Sequence, residues 1–264
     1  MISLINNRSI IKVLGIDAKQ FLQSQFSNDI NLISNNQVQI NAYCQHQGKI
    51  ITIIWVIKRD DHYFLSIPQD LKAIVLSKLN MFKLMSNVDI EDFSTKVYLY
   101  GLIDESVDDA LILKNNLSIL FTTERLTDTH NISYWEKACV DNLLPEIQLD
   151  MSEKFIPQTL NLDINHIGVS FNKGCYPGQE VVARMHYLGN PKRRLFRFIS
   201  KSEVVIGDSL NVNNSDSLKS SGQVIRVSRD ENEFHFLGTL EVGHIHDQIF
   251  LNNDHNQLVN LIHE

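Results

Sequence analysis

Cysteine is scarce in this chain, with three in 264 residues, Cys44, Cys139 and Cys175. They are too few and too scattered for a disulfide framework or a closed four-ligand zinc or cluster site, so all three are expected as free thiols in a reducing compartment. Cations are outnumbered: 24 Lys and Arg face 31 Asp and Glu, a formal charge of −7, with a pI near 5.8. That balance argues against a nucleic-acid footprint covering a whole face, since phosphate binding demands clustered Lys and Arg. Long apolar runs are missing as well. The longest, Ile50 to Ile57, is interrupted by Thr52 and is far shorter than the roughly 20 residues that span a bilayer, so it reads as a buried strand. Met1 to Arg8 lacks the basic start and apolar stretch of a secretory signal, and a cytoplasmic protein without membrane contact is expected. Internal repeats and low-complexity segments are absent.

What is present is a chain with 43% apolar residues, long enough for one large domain or two modest ones. Asp17 with Gln20 forms a capping-box pattern, and Phe21, Leu22 and Gln25 continue one helix face. Lys49 to Ile57, a turn at Lys58-Arg59-Asp60-Asp61 and Tyr63 to Ile67 read as a strand pair. Apolar residues from Leu71 to Phe82 repeat at helical spacing, Val97 to Ile103 and Leu117 to Thr122 read as strands, and residues 131 to 143 as a helix. Beyond about residue 195 come short strand-like runs, Leu195–Ile199, Ser209–Val212, Gly222–Val227, Phe234–Leu240 and Gln248–Leu251. Asn213-Asn214, Asp230-Glu231-Asn232 and Asn252-Asn253-Asp254 punctuate them. The expected class is α+β: residues 1–195 as two interleaved α/β lobes, and residues 196–264 as a small antiparallel β-barrel.

The densest chemistry lies in Lys173-Gly174-Cys175-Tyr176-Pro177-Gly178-Gln179-Glu180. Pro177 suits a first helical turn, with Val181, Val182, Met185 and Leu188 as the apolar stripe. Cys175 then sits just ahead of a helix N-terminus, where free N–H groups and the neighbouring Lys173 favour a thiolate. The alternative is structural: the glycines and proline shape a loop, Glu180 and Arg184 pair at i,i+4, and Cys175 simply packs.

Outside Pro177 these residues match the signature K-G-C-Y-x-G-Q-E, and the chain resembles the YgfZ family of folate-binding proteins. Flanking support comes from Ile156 to Leu162, Gly168 to Phe171, Val182-Ala183-Arg184 and Lys192-Arg193. Nearer the N-terminus it comes from Gly15 to Ala18, Phe21-Leu22-Gln23, Gln25, Asp29, Cys44 and Gly48-Lys49. The resemblance implies a three-part, ring-like fold related to the aminomethyltransferase of glycine cleavage, binding tetrahydrofolate in a central hole. It also implies partners among iron-sulfur proteins or their assembly factors, including enzymes that modify tRNA. No settled reaction is assigned to the family.

A folate needs an aromatic or apolar slot, a carboxylate for the pterin's amino edge, and a cation for its glutamate tail. Trp135 and Asp141 meet the first two demands, and Asp141 falls where the related enzymes carry a pterin-contacting Glu. The alternatives are that Trp135 anchors its helix in the core and that Asp141 is solvated. Lys173, Tyr176, Gln179, Glu180 and Arg184 are further candidate binding residues, and Cys175 is the candidate reactive thiol. Lys192, Arg193, Arg194 and Arg197 form a basic cluster suited to a phosphate or a folate tail, or to complementing a helix C-terminus. Two departures stand out: Arg8 replaces an aromatic residue common in the resembling proteins, and Thr52-Ile53 stand where aminomethyltransferases carry a catalytic carboxylate. A hydroxyl and a hydrocarbon provide no general base near neutral pH, which disfavours aminomethyl transfer. Three readings follow: a folate-binding accessory protein acting through Cys175, a folate-dependent one-carbon transferase, or an interaction module with a vestigial folate cavity. His244 and His246, two apart, would share a strand face but lack a third metal ligand, and no metal site is expected.

Overall fold

The structure is a computed structural model describing residues 1–212 and 220–262. The apolar run of the sequence becomes β4 (Ile50–Arg59) of a five-stranded antiparallel sheet. Its neighbours are β3 (Gln37–Cys44), β5 (His62–Pro68), β2 (Arg8–Leu14) and β6 (Asp89–Asp92), in the order β3-β4-β5-β2-β6. β4 is apolar at nearly every position because both faces are covered. Ile54 and Val56 join Phe21 and Leu22 of α1 (Ala18–Gln25) and Val75 and Leu79 of α2 (Lys72–Phe82) in one core. Ile53, Trp55 and Ile57 join a second core shared with Leu99, Leu117, Ile119 and Trp135.

That second core is covered by a four-stranded sheet of β1 (Ile2–Leu4), β7 (Tyr98–Ile103), β9 (Leu117–Thr122) and β8 (Leu111–Lys114), in the order β1-β7-β9-β8. The lobes interleave at the N-terminus: β1 pairs with β7, and β2, four residues further on, pairs with β5 of the other sheet. α3 (Ile132–Asp141) is capped by the Asn131 side chain, which accepts the Ser133 N–H at 2.9 Å. The last part is a closed antiparallel barrel of β10 (Arg193–Ser200), β13 (Glu233–Glu241), β12 (Gly222–Asp230), β11 (Ser209–Val212), β14 (Ile249–Leu251) and β15 (Leu258–Ile262). Closure removes the sheet edges.

Three local expectations are corrected. Asp17 precedes α1 but makes no side-chain cap; its carboxylate accepts the Asn87 N–H at 2.8 Å, tying α1 to the segment before β6. The β4–β5 turn is shorter than expected, because both strands pair up to Arg59 opposite His62, leaving Asp60-Asp61 as the loop. β15 escaped the sequence reading, yet it closes the barrel by pairing with β10 and β14. The expected turn at Asn213-Asn214 lies outside the described residues. Among those described, no helix is long and apolar enough to cross a membrane.

Candidate functional site

The signature segment is anchored by its lysine. The Lys173 ammonium donates to the backbone carbonyls of Gln23 (2.6 Å), Asn28 (2.9 Å) and Phe26, capping the carbonyl-rich end of α1. Burial draws its pKa down to about 8, opposed by Asp29. The same ammonium lies 5.2 Å from the centre of the buried Tyr176 ring, whose phenol burial pushes up. Lys173 and Tyr176 are thus anchors facing the protein, and the lysine is engaged by carbonyls instead of serving as a cation for Cys175. Gln179 donates to the Lys173 carbonyl at 3.3 Å and closes the loop on itself.

The helix begins later than the sequence suggested. α4 (Gln179–Leu188) has Gly178 as its N-cap at φ 81°, so Pro177 lies outside the first turn and Cys175 is separated from the helix N-terminus. Glycine is required at 178 by proximity as well as by φ: a Cβ there would fall 2.6 Å from the Cα of Gly48 in the β3–β4 turn and 2.5 Å from the Gln45 carbonyl oxygen. Glu180 and Arg184 are exposed on α4, and among the described residues no ion pair joins them. Cys175 projects to solvent from this pinned loop, whereas Cys44 and Cys139 are buried. Burial drives the Cys44 thiol up to about 12 and the Cys139 thiol higher still.

Removing the lysine anchor leaves its carbonyl partners short of a charged donor in a buried setting. Lys173→Met is therefore expected to lower stability by about 3 kcal/mol, read as a fall of several degrees in Tm.

Trp135 and Asp141 occupy a different region from the signature. Trp135 is 0% exposed, edge-on to Trp55 at 6.3 Å, and laid so closely on β7 that a Cβ at Gly101 would fall 2.2 Å from its Cε3. Its ring lies in the core, and its Nε1–H has no hydrogen-bond partner. Beside it, the junction enclosed by the three parts is filled by side chains that the sequence reading missed as partners. The Arg8 guanidinium stacks 3.7 Å from the Trp55 ring centre and donates to the Ser66 hydroxyl (2.8 Å) and carbonyl (2.7 Å). It also forms an ion pair with Glu146. Burial lowers the Arg8 pKa from the ordinary arginine value, and Glu146 opposes that shift. From the barrel, Arg226 reaches Glu136 of α3 (2.8 Å) and the Leu144 carbonyl (3.0 Å). The signal for these residues was a charge inside an apolar run, as in Leu144-Pro145-Glu146-Ile147 and Val224-Ile225-Arg226-Val227.

The space beside the Arg226–Glu136 pair is small for a folate. The cavity left there is about 250 Å³, bordered by Asn7, Glu136, Glu146 and Arg226, below the roughly 300–1,000 Å³ of typical ligand sites. Thr52 is buried with its hydroxyl 3.5 Å from the Ile147 carbonyl, and Ile53 is core. No carboxylate stands on this part of β4, and the nearby Glu136 and Glu146 are held by arginines.

A larger cavity of about 520 Å³ is bordered by Ile40 of β3, Lys114 of β8, the C-terminal end of α3, residues 160–167, β10 and β15, so that both sheets and the barrel contribute to it. Asp141 borders it, ion-paired to Lys137 (3.1 Å) and Arg197 (3.2 Å). The expected basic cluster is dispersed: Arg193 pairs with Glu241, Arg194 with Asp163 and Arg197 with Asp141. Of these four basic residues, Arg197 lines the cavity. His244 lies in a 3-10 turn, bonded to Asp247 at 2.8 Å. No metal-binding cluster occurs among the described residues.

No family model matches the chain. It is 30% identical over 227 residues to an uncharacterized protein of Haemophilus influenzae, covering 81% of this chain and 80% of that one. It is 26% identical over 239 residues to the tRNA-modifying protein YgfZ of Buchnera aphidicola, covering 77% and 74%. With the tRNA-modifying protein YgfZ of Klebsiella pneumoniae it shares 25% over 283 residues, covering 93% and 83%. Among solved structures, the glycine cleavage system aminomethyltransferase T of Bartonella henselae has a TM-score of 0.69 at 12% identity, covering 100% of this chain and 84% of that one. That likeness shows a shared fold.

Proposed function

The chain belongs to the YgfZ family, and on that premise we propose that it is a cytoplasmic accessory protein of tRNA modification. It binds a reduced folate and acts through Cys175 in support of iron-sulfur enzymes. The observation that carries this reading is the exposed Cys175 on a loop pinned by Lys173, Tyr176 and the Gly178–Gly48 contact, while the other two thiols are buried. A thiol presented this way can exchange with a partner's disulfide: its thiolate forms one S–S bond as another breaks, and the partner's second sulfur leaves as the thiolate.

Folate, when bound, supplies a one-carbon unit or a reducing equivalent. The 520 Å³ cavity supports the folate part of the reading, with Asp141 as an acceptor for a ring amino group and Arg197 as the cation. Aminomethyl transfer is the weaker reading, since Thr52 and Ile53 offer no base. The filled junction favours one rival, a non-catalytic interaction module with a vestigial folate cavity.

The test is complementation of a bacterial strain lacking its own YgfZ-family protein, read as the level of modified nucleosides in its tRNA. The wild-type chain is expected to restore them and Cys175→Ala to restore less than a tenth as much. Full restoration by Cys175→Ala would favour the interaction module.

A further inference from the structure

We propose that the outward face of α4, with the rings gathered on Phe171, is a docking surface for single-stranded RNA, whose bases stack on Tyr187 and His186 and whose phosphates meet Arg184 and Lys192. The choice of RNA as the strand rests on the reading in tRNA modification. α4 buries less of its apolar sequence than expected. Of the stripe Val181, Val182, Met185 and Leu188, Val182 is buried and Met185 half-buried, while Val181 and Leu188 are exposed. The exposed positions 180, 181, 184, 187 and 188 recur three and four apart on one side of the helix. They end in Tyr187 at 65% and Leu188 at 84% exposure, and large apolar side chains grouped in solvent mark an interaction surface.

The rings beside them form one cluster. His186 stacks on Phe171 with centres 3.7 Å apart and planes 13° from parallel. Tyr187 stands edge-on to both, 4.9 Å from His186 and 6.1 Å from Phe171, and His166 lies 6.3 Å from Phe171. Exposed flat rings held by other rings are platforms on which bases of any sequence stack. The local charge suits the same ligand. From Ile164 to Ser202 the sequence carries one acid, Glu180, and seven Lys and Arg. Four of the seven are engaged within the fold: Lys173 by carbonyls, Arg193 by Glu241, Arg194 by Asp163 and Arg197 by Asp141. Arg184, one turn before Leu188, and Lys192, four residues after it, are exposed, and among the described residues no ion pair joins either to an acid. Glu180 lies at the opposite end of the helix, and the Asp163 side chain is 8% exposed and held by Arg194. Two cations beside a ring cluster fit a strand of a few nucleotides, which the overall charge of −7 allows.

The full-length chain is titrated, by fluorescence anisotropy, with labelled ten-nucleotide oligoadenylate RNA, its DNA counterpart, an abasic strand of the same length and an RNA duplex. Wild type, Tyr187→Ala, Tyr187→Trp, His186→Ala, Arg184→Met, Lys192→Met and the remote control Ile112→Ala are compared, with folding checked by circular dichroism. All of these side chains are exposed. The RNA strand is expected to bind at least tenfold more tightly than the duplex or the abasic strand. Its affinity should fall roughly fivefold or more in Tyr187→Ala and in His186→Ala, the loss of a stacked base, and persist in Tyr187→Trp and Ile112→Ala. Arg184→Met and Lys192→Met should each reduce the slope of log affinity against log salt by about 0.7. RNA affinity untouched by Tyr187→Ala and His186→Ala, or matched by the abasic strand, would overturn the stacking surface. Tighter binding of DNA than of RNA would overturn the assignment to RNA. Absence of RNA binding, together with loss of complementation in Tyr187→Ala, would assign this face to a protein partner and overturn the proposal. Complementation by the wild-type chain tests the accessory role separately, so failure of the RNA titrations leaves that role standing.

Discussion

Arg8→Met is expected to destabilise the protein by about 3–5 kcal/mol, the cost of leaving a buried charge without its partner. Side-chain exposures at the Arg8–Glu146 pair are 2% and 5%, so water does little to replace the lost cation. The substitution also takes the stacking partner from Trp55 and the donor from the Ser66 carbonyl. For a chain of this size the loss corresponds to a fall in Tm of roughly 10 °C. The double variant Arg8→Met/Glu146→Met removes both charges while keeping volume, and is expected to recover most of the lost stability. Thermal and urea unfolding of the two single variants and the double variant check this. Single-variant losses below about 1 kcal/mol, or a double variant worse than either single one, would mean that the pair does not act as a buried unit.

The same pair marks where sequence reading stops. Segments whose pattern is local were legible: α1 from its apolar period, β4 from a run apolar on both faces, and most barrel strands from the polar turns between them. β15 was lost because Leu258–Ile262 carries an asparagine between its apolar residues and follows a long polar stretch. The partners of Arg8 and Arg226 lie 138 and 90 residues away, and no local pattern encodes such pairing. The signature segment was visible as a motif, but the jobs of its residues were not. Lys173 is fixed by carbonyls about 150 residues earlier in the chain, and Gly178 by the approach of Gly48. Trp135, read as a slot wall, lies on the backbone of Gly101 in a strand whose position the helix sequence does not specify. Asp141 and Arg197 do meet at one cavity, although neither residue's surroundings suggested the other.

Thiol reactivity should separate the three cysteines by orders of magnitude. The thiolate is the attacking species. The rise of the Cys44 pKa from 9.0 to about 12 lowers its thiolate population about a thousandfold at a given pH near neutrality. Cys139 is displaced further in the same direction, and both are closed to reagent by burial, at 1% and 0% exposure. Cys175 faces solvent and is the thiol that a reagent or partner disulfide meets in the native state. Its substitution by serine should abolish native-state labelling while leaving Tm within about 1 °C, as expected for an exposed side chain. The decisive measurement is site-resolved mass spectrometry of the native protein after brief iodoacetamide treatment, beside a denatured control. Label confined to Cys175 in the native sample, and on all three cysteines in the control, is the predicted result. Native label on Cys44 or Cys139 at a comparable rate, or none on Cys175, would contradict its assignment as the working thiol.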